Sequence, residues 1–286
     1  MNKNDMIQTG AEIASNYAVD ALKDTVKIAA TIADPVLGPI VSMVFSDVAE
    51  RMLSKSESGR VSAVSQQIEF KIQQRLDVRE HPRRNDDFYV KDEYEQSSAS
   101  KLLEETLLKC KQEFEARKLE YYSNFWSNVC FDNTVTYEDA NTIMSQFASL
   151  SFQQIKILLY QNSGKTISLD KWEKYMYSDR VLEPYYTLYS DALHLYNLRL
   201  AVACEEEGGA LRVGTPRVRI GPSGKKMCRL LELGFRGNEE KEINEYIGHV
   251  DAIVDRLMSM AGDDGTGGLI STATDEDIDE IMNKIN

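Results

Sequence analysis

The sequence predicts a mainly α-helical protein with an N-terminal helical bundle that contains a helical hairpin, a winged-helix-like α+β module, and a C-terminal helical tail. Helix-forming residues are abundant in the 286-residue chain, and runs typical of strands are few. Apolar residues return at helical spacing through most of it. From the predicted helix that Ser151 opens onward, the elements follow the winged-helix order of helix, strand, helix, helix, two strands and helix.

The first feature of the predicted helical domain, residues 1–162, is an apolar hairpin at 11–53. Its central run IAATIADPVLGPIVSMVF is interrupted by Asp34, Pro35 and a Gly38–Pro39 turn, which predicts two helical limbs. Each limb keeps a polar stripe, which favours packing in a soluble bundle, and insertion into a bilayer on activation is the alternative. The residues that would carry either role are Ile28, Ile32, Val41, Val44 and Phe45.

A long helix at 98–129 is predicted to organise this domain. Apolar residues that include Phe114 recur on one face, whereas the charged residues Glu113 and Lys118 fall outside it. We therefore expect Phe114 to be buried and both charged side chains to face solvent.

Hydroxyl and proline residues mark three further helix starts. Thr136 and Ser151 are each followed three residues later by a side chain with an acceptor oxygen, which is typical of an N-cap or capping box. Pro222 is suited to the first turn of a helix because that turn does not use its backbone N–H.

Residues 163–236 are predicted to form the winged-helix-like module, with strands at Leu200–Glu205 and Arg217–Ile220. The helix at 184–200 carries almost no cation for phosphate, and Glu205–Glu207 oppose the wing, so nucleic acid is a disfavoured partner. A protein contact or a purely structural wing is favoured. The candidate wing contacts are Arg217, Arg219, Lys225 and Lys226.

The C-terminal region is predicted to contain a helix at 237–261, a flexible linker at 262–273 and a short amphipathic docking helix at 274–286. Apolar residues of the last helix fall at i, i+3, i+4 and i+7, the spacing of a peptide helix that lies in a hydrophobic groove. Docking on a protein partner, self-association with a second copy, and packing on its own chain remain open. The docking residues are Ile278, Ile281, Met282 and Ile285.

Composition limits the kinds of partner and site that the sequence predicts. The formal charge of -13 opposes nonspecific binding to nucleic acid. The four cysteines form no CxxC pair and the three histidines lie in different predicted elements, so we predict no catalytic residue, metal site or cofactor. An enzyme assembled from scattered residues is the alternative. Without a signal-peptide pattern or an unbroken apolar span, the chain is expected to be cytoplasmic, with membrane association only on activation.

Three regions resemble the abortive-infection α (Abi-alpha) family of bacterial proteins, which is associated with defence against phage. They are the hairpin with DPVLGP, the run KLEYYSNFWSNVCFDNTVTYEDANTIMSQFASLSFQQIKIL, and YSDALHLYNLRLAVACEEE with VRIGPSGKKMCRLLE. The resemblance spans about Ala11 to Leu233 and implies no catalytic residues.

The leading hypothesis is a non-enzymatic anti-phage defence protein that acts through protein contacts, with membrane disruption as an added outcome. The alternative is a winged-helix adaptor or regulator that binds an acidic partner or DNA through the wing cations.

Overall fold

Helices make up most of the described chain, and a small three-stranded antiparallel sheet accompanies them. The structure is a computed structural model that describes Ile32 and residues 34–51, 53–78, 82–169, 183–204 and 217–260. Several predicted features lie outside these residues: the first hairpin limb with Ile28, the linker 262–273, and the docking helix 274–286 with Ile278, Ile281, Met282 and Ile285.

The chain divides into two units, and the division differs from the predicted boundary at residue 162. Unit 1 comprises residues 1–150 and Arg229–Leu233, and unit 2 comprises residues 151–228 and 234–286. The helix at 152–162 belongs to unit 2 because it packs against other elements of that unit, namely two later helices and a strand.

Unit 1 is a helical bundle with two additional 3-10 turns, at Asp87–Tyr89 and Ala116–Lys118. Helix α4 packs against α2 and α3, while α3 also packs against α1 and α5. The buried Trp126 of α4 donates a hydrogen bond from its indole Nε1 to the carbonyl oxygen of Ala99, 3.2 Å away. The helices are α1 (Leu37–Glu50), α2 (Lys55–Val78), α3 (Ser98–Gln112), α4 (Leu119–Val129) and α5 (Tyr137–Ser149).

The second hairpin limb is α1, and it begins earlier than the predicted Gly38–Pro39 turn. The Asp34 carboxylate accepts hydrogen bonds from the amides of Val36 and Leu37 at 2.9 and 2.8 Å, which caps the helix start. The glycine and proline therefore lie inside the first turn, where the missing N–H of Pro39 disrupts no helical hydrogen bond. A Cβ on Gly38 would lie 2.8 Å from the carbonyl oxygen of Ile32, so this close approach requires glycine.

The predicted single helix at 98–129 is wrong in its middle, where α3 ends and α4 begins after a 3-10 turn. Phe114, expected in the core, is 90% exposed, and the Arg60 guanidinium lies 5.5 Å from its ring centroid. Lys118, expected at the surface, is 2% exposed and forms an ion pair with the half-buried Glu113 at 2.7 Å. The break places this pair inside the bundle, whereas an uninterrupted helix would keep the predicted faces.

Two predicted helix starts are confirmed by their hydrogen bonds. Thr136 Oγ1 accepts from the amide of Asp139 at 3.1 Å. Ser151 Oγ accepts from the amide of Gln154 at 3.2 Å, and the Gln154 side chain accepts from the Ser151 amide at 3.0 Å, which completes a capping box.

Unit 2 combines helices with the sheet, whose strand order is β1–β3–β2 with antiparallel pairing throughout. The predicted first wing strand is shorter than expected. Helix α6 packs against α7, α9 and the central strand β3, so the sheet and the helices share one core. The elements are α6 (Phe152–Asn162), β1 (Ile167–Ser168), α7 (Glu183–Asn197), β2 (Ala201–Ala203), β3 (Arg217–Ile220), α8 (Pro222–Leu231, whose last residues belong to unit 1) and α9 (Glu239–Met260).

Candidate functional site

The central strand β3 presents two arginines on one face of the sheet. Val218 and Ile220 are buried, whereas Arg217 and Arg219 are exposed. Because successive side chains of a strand point to opposite faces, the strand contributes its apolar residues to the core and both guanidinium groups to the outer face.

The pairing register places different neighbours beside each arginine. Arg217 lies opposite Ser168 of β1, and its Nε donates a hydrogen bond to Ser168 Oγ at 3.1 Å. Arg219 lies opposite Val202 of β2, which is half-buried on the same outer face. A guanidinium has five N–H donors, so Arg217 retains donors for another acceptor after this contact.

A tight turn after β3 fixes the start of α8 and thereby the next two cations. The amide of Gly221 donates to the carbonyl of Leu200 at 2.8 Å, and a Cβ on Gly221 would lie 2.8 Å from Val202 Cγ1. A Cβ on Gly224 would overlap the same Leu200 carbonyl. The two glycines therefore let the helix start against β2 and carry Lys225 on to the surface next to β3.

We define the basic strip as Arg217, Arg219, Lys225 and Lys226. The ten residues from Arg217 to Lys226, RVRIGPSGKK, contain these four cations and no acid, although the whole chain has a net charge of -13. Arg217, Arg219 and Lys225 are exposed and Lys226 is half-buried. Within the described residues, no carboxylate forms an ion pair with either arginine or with Lys225.

Helix α7, which lies between β1 and β2 in the chain, offers little positive charge. Tyr186, Thr187 and Asn197 are exposed and uncharged. The carboxylate of Asp191 accepts a hydrogen bond from Gln154 Nε2 at 2.9 Å. Over residues 186–197 the helix has no lysine or arginine, so it supplies no guanidinium or ammonium donor for phosphate.

The described part of the predicted hairpin site lies in the core of unit 1. Ile32, Val41, Val44 and Phe45 are all buried, and α1 packs against α3. Among the helices that the structure describes, none combines the length and apolar character needed to cross a bilayer. The structure therefore brings the four hairpin residues together as packing residues.

A buried polar cluster in unit 1 was missed by the sequence patterns. The ammonium group of Lys118 contacts Glu113, donates to the carbonyl of Leu150 at 2.9 Å and lies 5.1 Å from the ring centroid of Phe147. The Tyr122 hydroxyl donates to the same carboxylate at 3.1 Å, and burial, helped by the nearby Glu113 charge, raises the pKa of Tyr122. Each of these groups has a partner, so the cluster supports the bundle by closing the end of α5.

A second cluster surrounds Arg84, which is 6% exposed. Its guanidinium pairs with the Asp86 carboxylate, donates to the carbonyl of Val135 at 2.9 Å and lies 4.2 Å from the ring centroid of Phe88. The hydrogen bond from Arg84 lowers the pKa of Asp86. These contacts hold the loop before α3 against the end of α4 and match a structural role.

The thiols are poorly suited to nucleophilic chemistry where they are buried. Burial raises the pKa of the Cys228 thiol to about 12, and burial likewise raises the pKa of the Cys110 and Cys130 thiols. In the part of the chain that the structure describes, no three histidine, cysteine, aspartate or glutamate residues group into a metal site.

Ser168 and the pair Gly221 and Gly224 contribute to the strip but were not among the candidate residues. The Gly-Pro-Ser-Gly spacing before two lysines was the available signal, since glycine is needed wherever another backbone approaches closely. No protein-family model, curated protein or solved structure matches this chain.

Proposed function

We propose that this chain is a non-enzymatic adaptor or regulator that binds an acidic protein partner through the basic strip of unit 2. The observation that carries the proposal is the outer face of β3, where Arg217 and Arg219 are exposed without an ion pair to the described carboxylates. Exposed guanidinium groups in a fixed register suit recognition of carboxylates, which they can contact through two parallel hydrogen bonds.

The proposal includes a winged-helix assignment for unit 2. Its support is the chain order α6, β1, α7, β2, β3, α8 together with the sheet order β1–β3–β2. In this assignment β2 and β3 flank the wing, and the strip lies at the base of the wing and the start of the following helix.

An acidic protein fits the charge distribution better than duplex DNA. A winged helix that reads DNA needs cations on the helix that enters the groove, and α7 lacks lysine and arginine over residues 186–197. The four cations of the strip lie on the sheet face and at the start of α8, an arrangement that suits a short acidic segment.

A binding measurement with defined probes tests the proposal. Fluorescence anisotropy would follow a labelled oligoglutamate peptide and a labelled random-sequence 25-base-pair duplex, each titrated with the full chain at two salt concentrations. The variant R217E/R219E is expected to weaken peptide binding at least about tenfold, because it removes two cations and adds two repulsive charges.

The matched control is K91E/K241E, which changes the net charge equally at two exposed lysines outside the strip. Equal weakening by both variants, or tighter binding of the duplex than of the peptide, would overturn the proposal. A selective loss with R217E/R219E supports it.

The Abi-alpha resemblance extends the proposal to bacterial phage defence. Expression of the chain in a bacterial host and plaque counts with a phage panel would test this extension. Protection by the wild type and by K91E/K241E, but not by R217E/R219E, would link defence to the strip. Equal plaque counts with and without the chain count against the extension and leave the binding proposal to the anisotropy result.

A further inference from the structure

An acidic segment of the same chain is a candidate ligand for the basic strip. The most acidic stretch of this chain lies near its end: residues 262–286 contain seven acids and one lysine. The strip contains four cations and no acid. We propose that the acidic segment 274–286 binds the basic strip of the same chain and competes with the partner. This inference rests on the binding role proposed above.

The point of attachment makes the contact sterically feasible. Helix α9, which precedes the acidic segment, ends at Met260 and belongs to unit 2, the same unit as the strip. The linker 262–273 can span up to about 40 Å when extended. A compact unit of roughly 130 residues has a radius of gyration of about 14 Å. The extended linker is therefore longer than the diameter of this unit and brings most of its surface within reach.

The outer sheet face also offers an apolar contact between its cations. Val202 is half-buried on the face that carries Arg219, its partner across the strands. The segment 274–286 alternates acids with apolar residues, so carboxylates and an isoleucine can contact the same face together. The acids are Asp275, Glu276, Asp277, Asp279 and Glu280.

Because the segment is tethered to the same chain, it can occupy the strip in most molecules even if its intrinsic affinity is weak. Individual exposed ion pairs are weak, but a short flexible linker gives an effective concentration on the order of 1 mM. A segment with an intrinsic Kd of about 0.1 mM would then occupy the strip in about nine chains of ten. Such occupancy would weaken binding of an external acidic probe about tenfold.

The test uses the full chain with five tail acids neutralised, D275N/E276Q/D277N/D279N/E280Q, and the oligoglutamate peptide as the probe. The tail variant is expected to bind the probe about tenfold more tightly than the wild type. The control D47N/E50Q/D87N/E93Q/E138Q changes the net charge equally at exposed residues of unit 1. Its gain in affinity should be much smaller, because these acids act only through the screened overall charge.

A synthetic peptide of residues 274–286 provides a second, direct readout. It should displace oligoglutamate from the tail variant, and the added R217E/R219E substitutions should abolish its binding. Light scattering of the wild type shows whether the segment that binds the strip belongs to the same chain or to a second copy. A monomer with a masked strip supports the inference, whereas a dimer whose dissociation unmasks the strip overturns it in favour of a second copy.

The remaining outcomes separate the two proposals. If the tail variant behaves like its control while R217E/R219E still abolishes probe binding, the inference fails and the proposed function stands. If R217E/R219E leaves probe binding to the tail variant unchanged, both fail. Probe binding that appears only after tail neutralisation, and that needs the two arginines, supports both.

Discussion

Two buried cations of unit 1 and the exposed cations of the strip in unit 2 have opposite surroundings. In unit 1, Lys118 and Arg84 are buried, and carboxylates, carbonyl oxygens and aromatic rings surround their charged groups. In unit 2, Arg219 and Lys225 are exposed, and the described carboxylates form no ion pair with them. A buried charge must be paired to be tolerated, whereas an exposed one need not be. The surroundings of each cation thus distinguish the buried structural cations from the exposed ones, to which the binding role is proposed.

The largest expected effect is that of Lys118→Met. The substitution keeps most of the apolar stem but leaves the half-buried Glu113 carboxylate and the Leu150 carbonyl without their ammonium partner. We expect a loss of about 3–5 kcal/mol in the free energy of unfolding, measured by guanidinium denaturation followed by circular dichroism.

A matched substitution and a double variant sharpen this prediction. Lys241→Met removes an exposed lysine and should change the free energy of unfolding by less than about 0.5 kcal/mol. Adding Glu113→Gln to Lys118→Met should recover part of the loss, because the double variant leaves no unpaired buried charge. Equal stability of the Lys118 and Lys241 variants would refute the structural role of the buried cluster.

A smaller effect is expected from Gly224→Ala, which disturbs the frame that holds the strip. The added Cβ would overlap the Leu200 carbonyl and crowd Ile220 and Leu158, so unit 2 should lose about 1–3 kcal/mol of stability. The measurement is the thermal unfolding midpoint, and peptide binding to the strip should weaken in parallel.

Gly248→Ala serves as the control for Gly224→Ala. A Cβ at this helical position of α9 meets nothing within 4 Å, so alanine should leave the protein as stable or raise its stability by up to about 1 kcal/mol. A destabilisation as large as that of Gly224→Ala would show that the close approach to Leu200 is not what requires glycine.

The smallest expected effect on stability is that of R217A/R219A. Both guanidinium groups are on the outer face, and among the described side chains the hydroxyl of Ser168 is the one hydrogen-bond partner of either. We expect a change within about 0.5 kcal/mol in the free energy of unfolding, together with weaker binding of oligoglutamate. A loss of more than 2 kcal/mol would assign the strip a structural role and remove the contrast between the units.

Local signals in the sequence predicted local structure well. Thr136 and Ser151 were identified as helix starts because a capping side chain and its amide partner lie within one turn of each other. The alternation at Arg217–Ile220 likewise predicts one buried and one exposed face. The mainly helical character with a small sheet is confirmed, while the role of the strip in binding stays a prediction.

Pairings across the fold were not predictable from spacing. Glu113 and Lys118 look like surface charges on a long helix, and their burial depends on a break in that helix and on carbonyls more than thirty positions along the chain. The start of α1 was misplaced for a different, local reason, since the Asp34 cap moves Gly38 into the helix. Periodicity reports which side chains share a face, not which distant group satisfies a charge.

The alternation of buried and exposed residues along β3 also affects which positions can change during evolution. Val218 and Ile220 are buried in the core, which requires apolar residues at these positions, whereas Arg217 and Arg219 on the same strand are exposed and are expected to contribute little to the free energy of folding. Under the proposed binding role, substitutions at the two outward positions would alter partner preference without a loss of foldability. A four-residue strand would then separate the evolution of specificity from that of the fold.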